Sequence, residues 1–213
     1  SDIQEVMYRP FDFRYTYYPL ENISKIIVRG DSRVEMMRNF IDQENLGLLF
    51  LRNITKETAK HFGVTNSIVD IHFLDSAADS MFVSPLYLYE TEEEFEEKTA
   101  KQTSKHARAG QIGLFAAAEY QPKTEEYKPK KENLKPEFRE DIDSKYNKIY
   151  TPEEILGYIY AVMHSQTYRE KYLELLKIDF PRIPFTDSQE MFEKMSKLGW
   201  DLMQKHLMNE IPD

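Results

Sequence analysis

Residues 151–165 read Thr-Pro-Glu-Glu-Ile-Leu-Gly-Tyr-Ile-Tyr-Ala-Val-Met-His-Ser. This stretch is the strongest indication that the C-terminal part of the chain is helical. Thr151 is a favourable N-cap, Pro152 suits the first position of a helix, and Glu154 stands at the third position of a capping box. Apolar side chains then recur at helical spacing, at Ile155, Tyr158, Ile159 and Val162. The stretch therefore predicts an amphipathic helix that begins at about residue 152.

Two further helices are predicted after this one. The first runs from about Ser165 to Ile178 and stops before residues 179–184, because residues that precede proline avoid helical backbone angles. The second begins near Asp187 or Ser188. Its apolar positions are Met191, Phe192, Met195, Leu198, Leu202 and Leu207.

The segment between these two helices, Asp-Phe-Pro-Arg-Ile-Pro at 179–184, contains two prolines that favour an extended backbone. We expect Phe180 and Ile183 to pack inward, which would make the segment a rigid connection between helices. Arg182 lies between the prolines and is left free to reach a partner. The structural role is favoured over direct contact with DNA.

The N-terminal part carries strand signals, which are short runs of aromatic and β-branched residues. The runs are Arg14–Tyr18, Gly47–Leu51, Ile68–Leu74 and Met81–Tyr89. Between the first two runs, residues 32–41 have apolar side chains at helical spacing, with Ser32 and Glu35 placed as a capping box. These signals predict a mixture of strands and helices in this part of the chain.

Aromatic residues alternate around the first strand run, at Phe11, Phe13, Tyr15 and Tyr17. Successive side chains of a strand point to opposite faces, so this alternation puts all four on one face. Packing in the core is the favoured interpretation for most of them.

Charge divides the chain into three parts. Residues 1–97 hold 9 basic and 18 acidic side chains, residues 98–148 hold 12 and 8, and residues 149–213 hold 7 and 11. Prolines and lysines punctuate residues 122–136, which is typical of an exposed loop. We therefore predict an α+β (mixed α/β) fold. It comprises an α/β part with a small mixed sheet at 1–98, a basic and mobile connector at 99–134, and a helical part at 135–213.

The composition excludes several classes of protein. With 213 residues, no cysteine and a net charge of −9, the chain is neither a disulfide scaffold nor a protein that coats DNA or membranes. Its apolar runs are far shorter than the roughly 20 residues that a membrane-spanning helix needs. We expect a cytoplasmic protein. Because the sequence begins at Ser1 without an initiator methionine, we interpret it as a fragment of a longer polypeptide.

The inventory of catalytic groups is nearly empty. The seven glycines form neither a dinucleotide fingerprint nor a phosphate-binding loop, and the five histidines are scattered. Asp70, His72 and Asp75 lie close together in one strand run, but a solvated strand face is favoured over a metal site. We predict no catalytic residue, no metal and no cofactor in this chain.

Four blocks of sequence resemble a known family more closely than any single motif does. They are Tyr-Arg-Pro-Phe-Asp-Phe-Arg-Tyr at 8–15, Asn-Leu-Gly-Leu-Leu-Phe-Leu-Arg at 45–52, the strand run at 82–89, and the region 158–184. Together they resemble the C-terminal specificity region of type ISP and related type IIG restriction–modification enzymes, which carry an adenine-specific DNA methyltransferase domain. One departure is Asn53, where the family often has glutamine.

The resemblance implies that this chain recognises double-stranded DNA and orients it for adenine methylation by an upstream domain of the same polypeptide. The parent enzyme is then expected to use S-adenosylmethionine, with ATP and Mg²⁺ if a helicase or nuclease is fused to it. The alternative is a structural or protein-interaction domain that docks on the methyltransferase or helicase part without reading bases. No membrane partner is expected in either case.

Arginine, lysine and asparagine side chains are the candidates for contacts with DNA, since arginine makes bidentate contacts with phosphate and with guanine. The candidates for base readout are Arg52 and Asn53 at the end of a strand run, with Thr65 and Asn66 as second choice. The candidates for phosphate contacts are Arg9, Arg14, Lys101, Lys105, Arg108, Lys128, Lys130 and Lys131. For any single arginine, an ion pair with a nearby carboxylate is the competing role.

Overall fold

The computed structural model describes residues 3–18, 34–51, 62–70, 73, 81–90, 93–97 and 129–209. The strands are β1 (Ile3–Arg9), β2 (Asp12–Tyr17), β3 (Gly47–Leu51), β4 (Phe62–Thr65), β5 (Ile68–Val69), β6 (Met81–Pro85), β7 (Tyr87–Tyr89) and β8 (Lys130–Glu132). The helices are α1 (Val34–Met37), a 3-10 helix (Arg38–Phe40), α2 (Pro136–Tyr146), α3 (Pro152–His164), α4 (Gln166–Leu176) and α5 (Gln189–His206). Residues 93–97 are also helical. The predicted α+β class is confirmed.

The described strands form three sheets. In the first, the order is β2-β1-β5, with β1 antiparallel to β2 and parallel to β5. In the second, β3 lies between β4 and β6 and is antiparallel to both. The third is a two-stranded sheet of β7 and β8. The sequence predicted a single small mixed sheet, so the division into separate sheets is a finding of the structure.

The chain divides into two compact units. The first comprises residues 1–87 and 132–213, and the second comprises residues 88–131. In the first unit the first two sheets share a core with helices α3 and α5, in which Met7, Leu49, Tyr160 and Met203 are almost fully buried. The boundaries predicted at 98 and 135 stay a prediction, because residues 98–128 lie outside the described part of the chain.

The helix predicted from residues 151–165 is α3. Its first turn is closed by the predicted capping box: the Glu154 amide donates to Thr151 Oγ1 at 3.2 Å, and the Thr151 amide donates to Glu154 Oε2 at 2.7 Å. The two following helices are α4 and α5. Their N-caps are Ser165 and Ser188, whose side chains accept hydrogen bonds from backbone amides.

Helices α3 and α5 cross at very close range. A Cβ added to Gly199 on α5 would overlap the carbonyl oxygen of Gly157 on α3, and one added to Gly157 would overlap the carbonyl oxygen of Ser196. Only glycine allows two helix backbones to approach in this way. The crossing therefore depends on both glycines.

The connection from α4 to α5 is held by tyrosine hydroxyls. Tyr168 donates to the carbonyl of Arg182 at 2.9 Å, Tyr158 to that of Pro184 at 2.8 Å, and Tyr146 to that of Thr186 at 2.5 Å. These bonds satisfy carbonyls of an extended segment, which has no helix or sheet to supply donors.

The predicted packing of this connection is largely observed. Ile183 is half-buried against the core, and the ring of Phe180 makes edge contacts with Phe50 and Phe82 although 39% of the residue is exposed. The Arg182 side chain is 92% exposed. The distance from Arg182 Nη2 to Asp179 Oδ2 is 3.8 Å.

Several predicted elements differ from those observed. The run predicted as one strand at 81–89 is interrupted at Leu86. Of the described residues of the run at 68–74, which are 68–70 and 73, Ile68–Val69 form strand. Strands β1 and β4 and helix α2 were not predicted as separate elements. The capping box proposed for Ser32 falls outside the described residues.

Candidate nucleic-acid interface

Strands β1 and β2 form a hairpin whose tip is irregular. Met7 pairs with Phe13 but Arg9 pairs with Asp12, so β1 has one extra residue at this point, which is a β-bulge. Pro10 and Phe11 form the turn, and Phe11 has a φ of 65°. A bulge changes the direction in which nearby side chains point. The extra residue here is Tyr8, and Arg9 pairs with Asp12 directly beside the turn.

Two guanidinium groups lie against the ring of Tyr8. The Cζ atom of Arg14 is 3.9 Å from the ring centroid, and that of Arg9 is 4.2 Å from it. Such cation–π contacts contribute about 0.5–1 kcal/mol each at exposed sites. They restrict the rotamers of both arginines while leaving the guanidinium edges near solvent.

Carboxylates orient the same two arginines. Arg14 donates from Nε to Asp12 Oδ1 at 3.3 Å and from Nη2 to Oδ2 at 2.9 Å. Arg9 donates from Nη1 to Asp70 Oδ1 at 3.0 Å and to its neighbour's carbonyl, Tyr8 O, at 2.6 Å. The hydrogen bond with Asp12 raises the pKa of Arg14 above its ordinary value, so this guanidinium is charged at any physiological pH.

This arrangement can serve either of two roles. The ion pairs are the structural role that competes with DNA binding for any surface arginine. They also hold each guanidinium in one orientation, and in both pairs the cation is more exposed than its carboxylate, 56% against 40% and 39% against 29%. For Arg14, Asp12 occupies the Nε edge, while the Nη1–Nη2 edge has the geometry that matches phosphate or the O6 and N7 atoms of guanine.

The two second-choice candidates for base readout have different environments. Thr65 is fully buried, and its hydroxyl donates to the carbonyl of Ser67 at 2.8 Å and accepts from the Ser67 amide at 3.1 Å. Thr65 therefore stabilises the turn between β4 and β5, which corrects its assignment as a base contact. Asn66 in the same turn is exposed and stays a candidate.

Of the phosphate candidates outside the hairpin, two lie in the described residues. Lys130 and Lys131 are exposed on β8, with the Lys130 amine 6.0 Å from the ring centroid of Tyr89. The remaining candidates, Arg52, Asn53, Lys101, Lys105, Arg108 and Lys128, lie outside the described residues. Their roles stay predictions.

The prediction that most of the alternating aromatics pack in the core is wrong. Phe11 is 57% exposed, Tyr15 75% and Tyr17 55%, while Phe13 is half-buried against the core. In the described sheet β2 is an edge strand, with a neighbouring strand on one side. Phe11 also belongs to the turn, which the dipeptide Pro10-Phe11 followed by Asp12 could have signalled.

A cleft of about 360 Å³ lies between α3 and α5 in the first unit. Its carboxylates are occupied by internal contacts: Glu153 accepts from Tyr87 at 2.6 Å, Glu193 accepts from Lys148 at 2.8 Å, and Glu154 caps α3. Within the described residues, no three metal-ligating side chains converge. Asp70 instead pairs with Arg9, while His72 and Asp75 lie outside the described residues.

Comparison with known proteins places this chain in a family. The model of the type ISP C-terminal specificity domain matches residues 1–213, so the chain belongs to that family. A search of curated proteins found no significant match. In the described part of the chain, no helix is both long and apolar enough to cross a bilayer.

Two solved structures share the fold. One is a cryo-EM structure of the DrdV–DNA complex, at 21% identity and a TM-score of 0.65, with 97% of this chain and 16% of that chain aligned. The other is a nuclease-deletion mutant of the type ISP restriction–modification enzyme LlaGI in complex with a DNA substrate mimic, at 19% identity and a TM-score of 0.59, with 100% and 14% aligned. The chain thus spans about one-sixth of the length of these structures.

Proposed function

We propose that this chain selects the DNA sequence on which a restriction–modification enzyme acts, and that it orients the duplex for adenine methylation by another domain of the same polypeptide. The observation that carries the proposal is the pair of oriented, exposed arginines on the β1–β2 hairpin of a specificity-domain family member. The two structures that share its fold, both of DNA complexes, support it.

The chemistry of base methylation supports a separate recognition domain. An enzyme that modifies a base must take that base out of the stack, and so needs further contacts that grip the duplex and choose the site. Such contacts require arginine, lysine and asparagine side chains and no nucleophile, which matches the side chains found here. S-adenosylmethionine, and ATP and Mg²⁺ where a motor or nuclease is fused, would be bound by the other domains. A cytoplasmic location is part of the same proposal.

The charge distribution bears on how DNA would be held. The chain has a net charge of −9, so long-range attraction to phosphate has to come from local groups or from the rest of the polypeptide. Residues 98–148, with their excess of basic side chains, and the hairpin arginines are the local sources. We expect this chain alone to bind DNA weakly.

The proposal is tested by salt-dependent DNA binding of the full-length protein. Arg9→Ala and Arg14→Ala should weaken binding to all duplexes, and each phosphate interaction that a substitution removes should lower the slope of log K against log salt by about one. Arg182→Ala is the matched control, because this arginine is 92% exposed and lies outside the hairpin. Unchanged affinity and slope in both hairpin variants would leave only the structural role for these ion pairs.

A docking domain that reads no bases is the second candidate function. The observation that favours it is exposed apolar surface, at Ile3, Tyr15 and Tyr17 on the hairpin and at Met191 and Leu198 on α5. Such surface is typical of sites that bind other proteins. Under this alternative, substitutions on the hairpin would weaken association between domains of the enzyme and leave its sequence preference unchanged.

A further inference from the structure

We propose that Phe11, at the tip of the β1–β2 hairpin, is a wedge that inserts its ring at a base step of the bound duplex. The proposal rests on the proposed function, since it needs DNA at this hairpin. It assigns a contact with bases to a residue that is not among the sequence-based candidates for DNA binding. Apolar side chains inserted between base steps are an established means by which proteins unstack and bend DNA.

The backbone at Phe11 is the first observation that supports a function. Pro10 takes the first position of the turn, for which its fixed φ suits it, and Phe11 takes the second with a φ of 65°. Glycine or asparagine is favoured at such a position, because a side chain there crowds the backbone. Phenylalanine in this conformation costs free energy, so a role other than forming the turn has to account for its presence here.

The environment of the ring is the second observation. Phe11 is 57% exposed, so packing within the fold does not explain a large apolar side chain at a strained position. The other non-glycine residues with positive φ in the described chain are Asp42, Asn147 and Met208. Aspartate and asparagine tolerate this conformation, and Met208 follows the end of α5. Phe11 is therefore the one aromatic residue among the described non-glycine residues with positive φ.

The charged groups of the same hairpin favour DNA over a protein partner. Arg9 and Arg14 lie in the same hairpin, oriented by Tyr8 and by their carboxylates, and each is more exposed than the carboxylate it binds. Phosphates flank every base step, so an exposed aromatic ring at the tip of a hairpin that carries two cations matches the surface of nucleic acid. An apolar protein partner would have to desolvate both ion pairs, which is costly.

The experiment compares variants of the full-length protein on a duplex that the wild type selects from a randomised pool. Phe11→Gly should keep or slightly raise the melting temperature, because glycine accepts a positive φ. It should nevertheless bind the duplex about tenfold more weakly, in the range seen when a base-stacking aromatic is removed. Phe11→Trp should retain binding, since its ring can also stack.

Two control variants distinguish loss of the wedge from the effects of a glycine at a positive φ and of losing an exposed aromatic side chain. Met208→Gly makes the same backbone change at another exposed position with positive φ and should bind as the wild type does. Tyr15→Ala removes an exposed aromatic from the same hairpin and should also bind normally. In duplexes with 2-aminopurine placed at successive positions, the wild type should increase the fluorescence at one step, and Phe11→Gly should not.

The possible outcomes are distinguishable. Wild-type affinity in Phe11→Gly would overturn the wedge while leaving DNA recognition intact. A marked decrease in the melting temperature of Phe11→Gly would show that the ring packs in the fold and would overturn it as well. An equal reduction of binding in Tyr15→Ala would replace the wedge with a diffuse contact surface. A wild-type protein that selects no duplex would instead contradict the proposed function.

Discussion

Single residues show how the same side-chain type takes different roles in this chain. Tyr158 is buried and binds the connection between α4 and α5, Tyr8 provides a ring for two guanidinium groups, and Tyr15 is exposed on an edge strand. Sequence spacing assigned helical positions such as Tyr158 correctly. Spacing could not show which tyrosines on strands are buried and which are exposed, because their burial depends on which strands and helices cover the sheet.

His164 is a residue with a testable effect on stability. Burial lowers the pKa of His164 to about 4. Its hydrogen bond to the Tyr160 carbonyl opposes this shift, and smaller effects of Arg169 and His206 add to it. Because the unfolded chain takes up this proton near pH 6.5 and the folded chain does so near pH 4, stability is full above pH 6.5 and is lost as the pH falls towards 4. We expect a loss of about 3 kcal/mol in this window.

The measurement is urea denaturation between pH 7 and pH 4, on the wild type and on His164→Gln. The variant should show a shallower dependence of stability on pH in this window, even if it is less stable throughout. Part of the dependence will remain, since burial also lowers the pKa of His206. An identical pH dependence in both proteins would contradict the assignment to His164.

At the scale of elements, the helical part could be predicted well and the strands less so. Proline, serine and threonine caps and a regular apolar spacing gave the starts of α3, α4 and α5 to within one or two residues. Helix α2 lacks a strong apolar stripe, and β4 is short, so neither has a clear local signal. The interruption at Leu86 depends on the pairing of neighbouring strands, which local sequence does not encode.

The crossing of α3 and α5 provides a prediction about packing. Gly199→Ala should destabilise the protein by about 1–3 kcal/mol, because the added methyl group overlaps the backbone of α3 at Gly157 and the helices have to move apart. Leu198→Ala is the matched control, as its side chain is 66% exposed and should matter little. Thermal denaturation of both variants checks this. Equal melting temperatures for wild type and Gly199→Ala would show that the helices are not in such close contact.

The connection between α4 and α5 provides another prediction. Phe180→Ala should lower the melting temperature, since it removes edge contacts with Phe50 at 5.7 Å and with Phe82 at 5.2 Å between ring centroids. Aromatic pairs of this kind contribute about 0.5–1.5 kcal/mol each beyond burial of their area. Arg182→Ala, two residues away and exposed, should leave the melting temperature unchanged. If Phe180→Ala behaved in the same way, the ring would not stabilise the connection.

For the whole molecule, the family could be inferred from sequence more readily than the site. The blocks at 8–15 and 158–184 led to the specificity-domain family, and the family model confirms it over residues 1–213. The hairpin arginines were named as candidates, but their orientation by Tyr8, Asp12 and Asp70 depends on a β-bulge and on a strand that is distant in sequence. Such long-range contacts have no local signature.

Arg52 stays the leading prediction for base readout, although it lies outside the described residues. A bidentate contact with a base contributes roughly 1–3 kcal/mol of discrimination. Arg52→Ala in the full-length protein should therefore relax specificity at one position of the recognition motif. A role in an ion pair would instead reduce the yield of methylation and leave the motif unchanged.

The measurement that tests the central claim most directly is methylation of a randomised-site DNA library by the full-length protein, read by sequencing. The wild type should methylate one motif, and alanine substitutions at Arg52, Asn53 and Asn66 should include at least one that relaxes a single position of that motif. Arg182→Ala should reproduce the wild-type motif. If every variant kept the full motif and differed only in yield, this chain would not select the sequence, and the docking role would replace it.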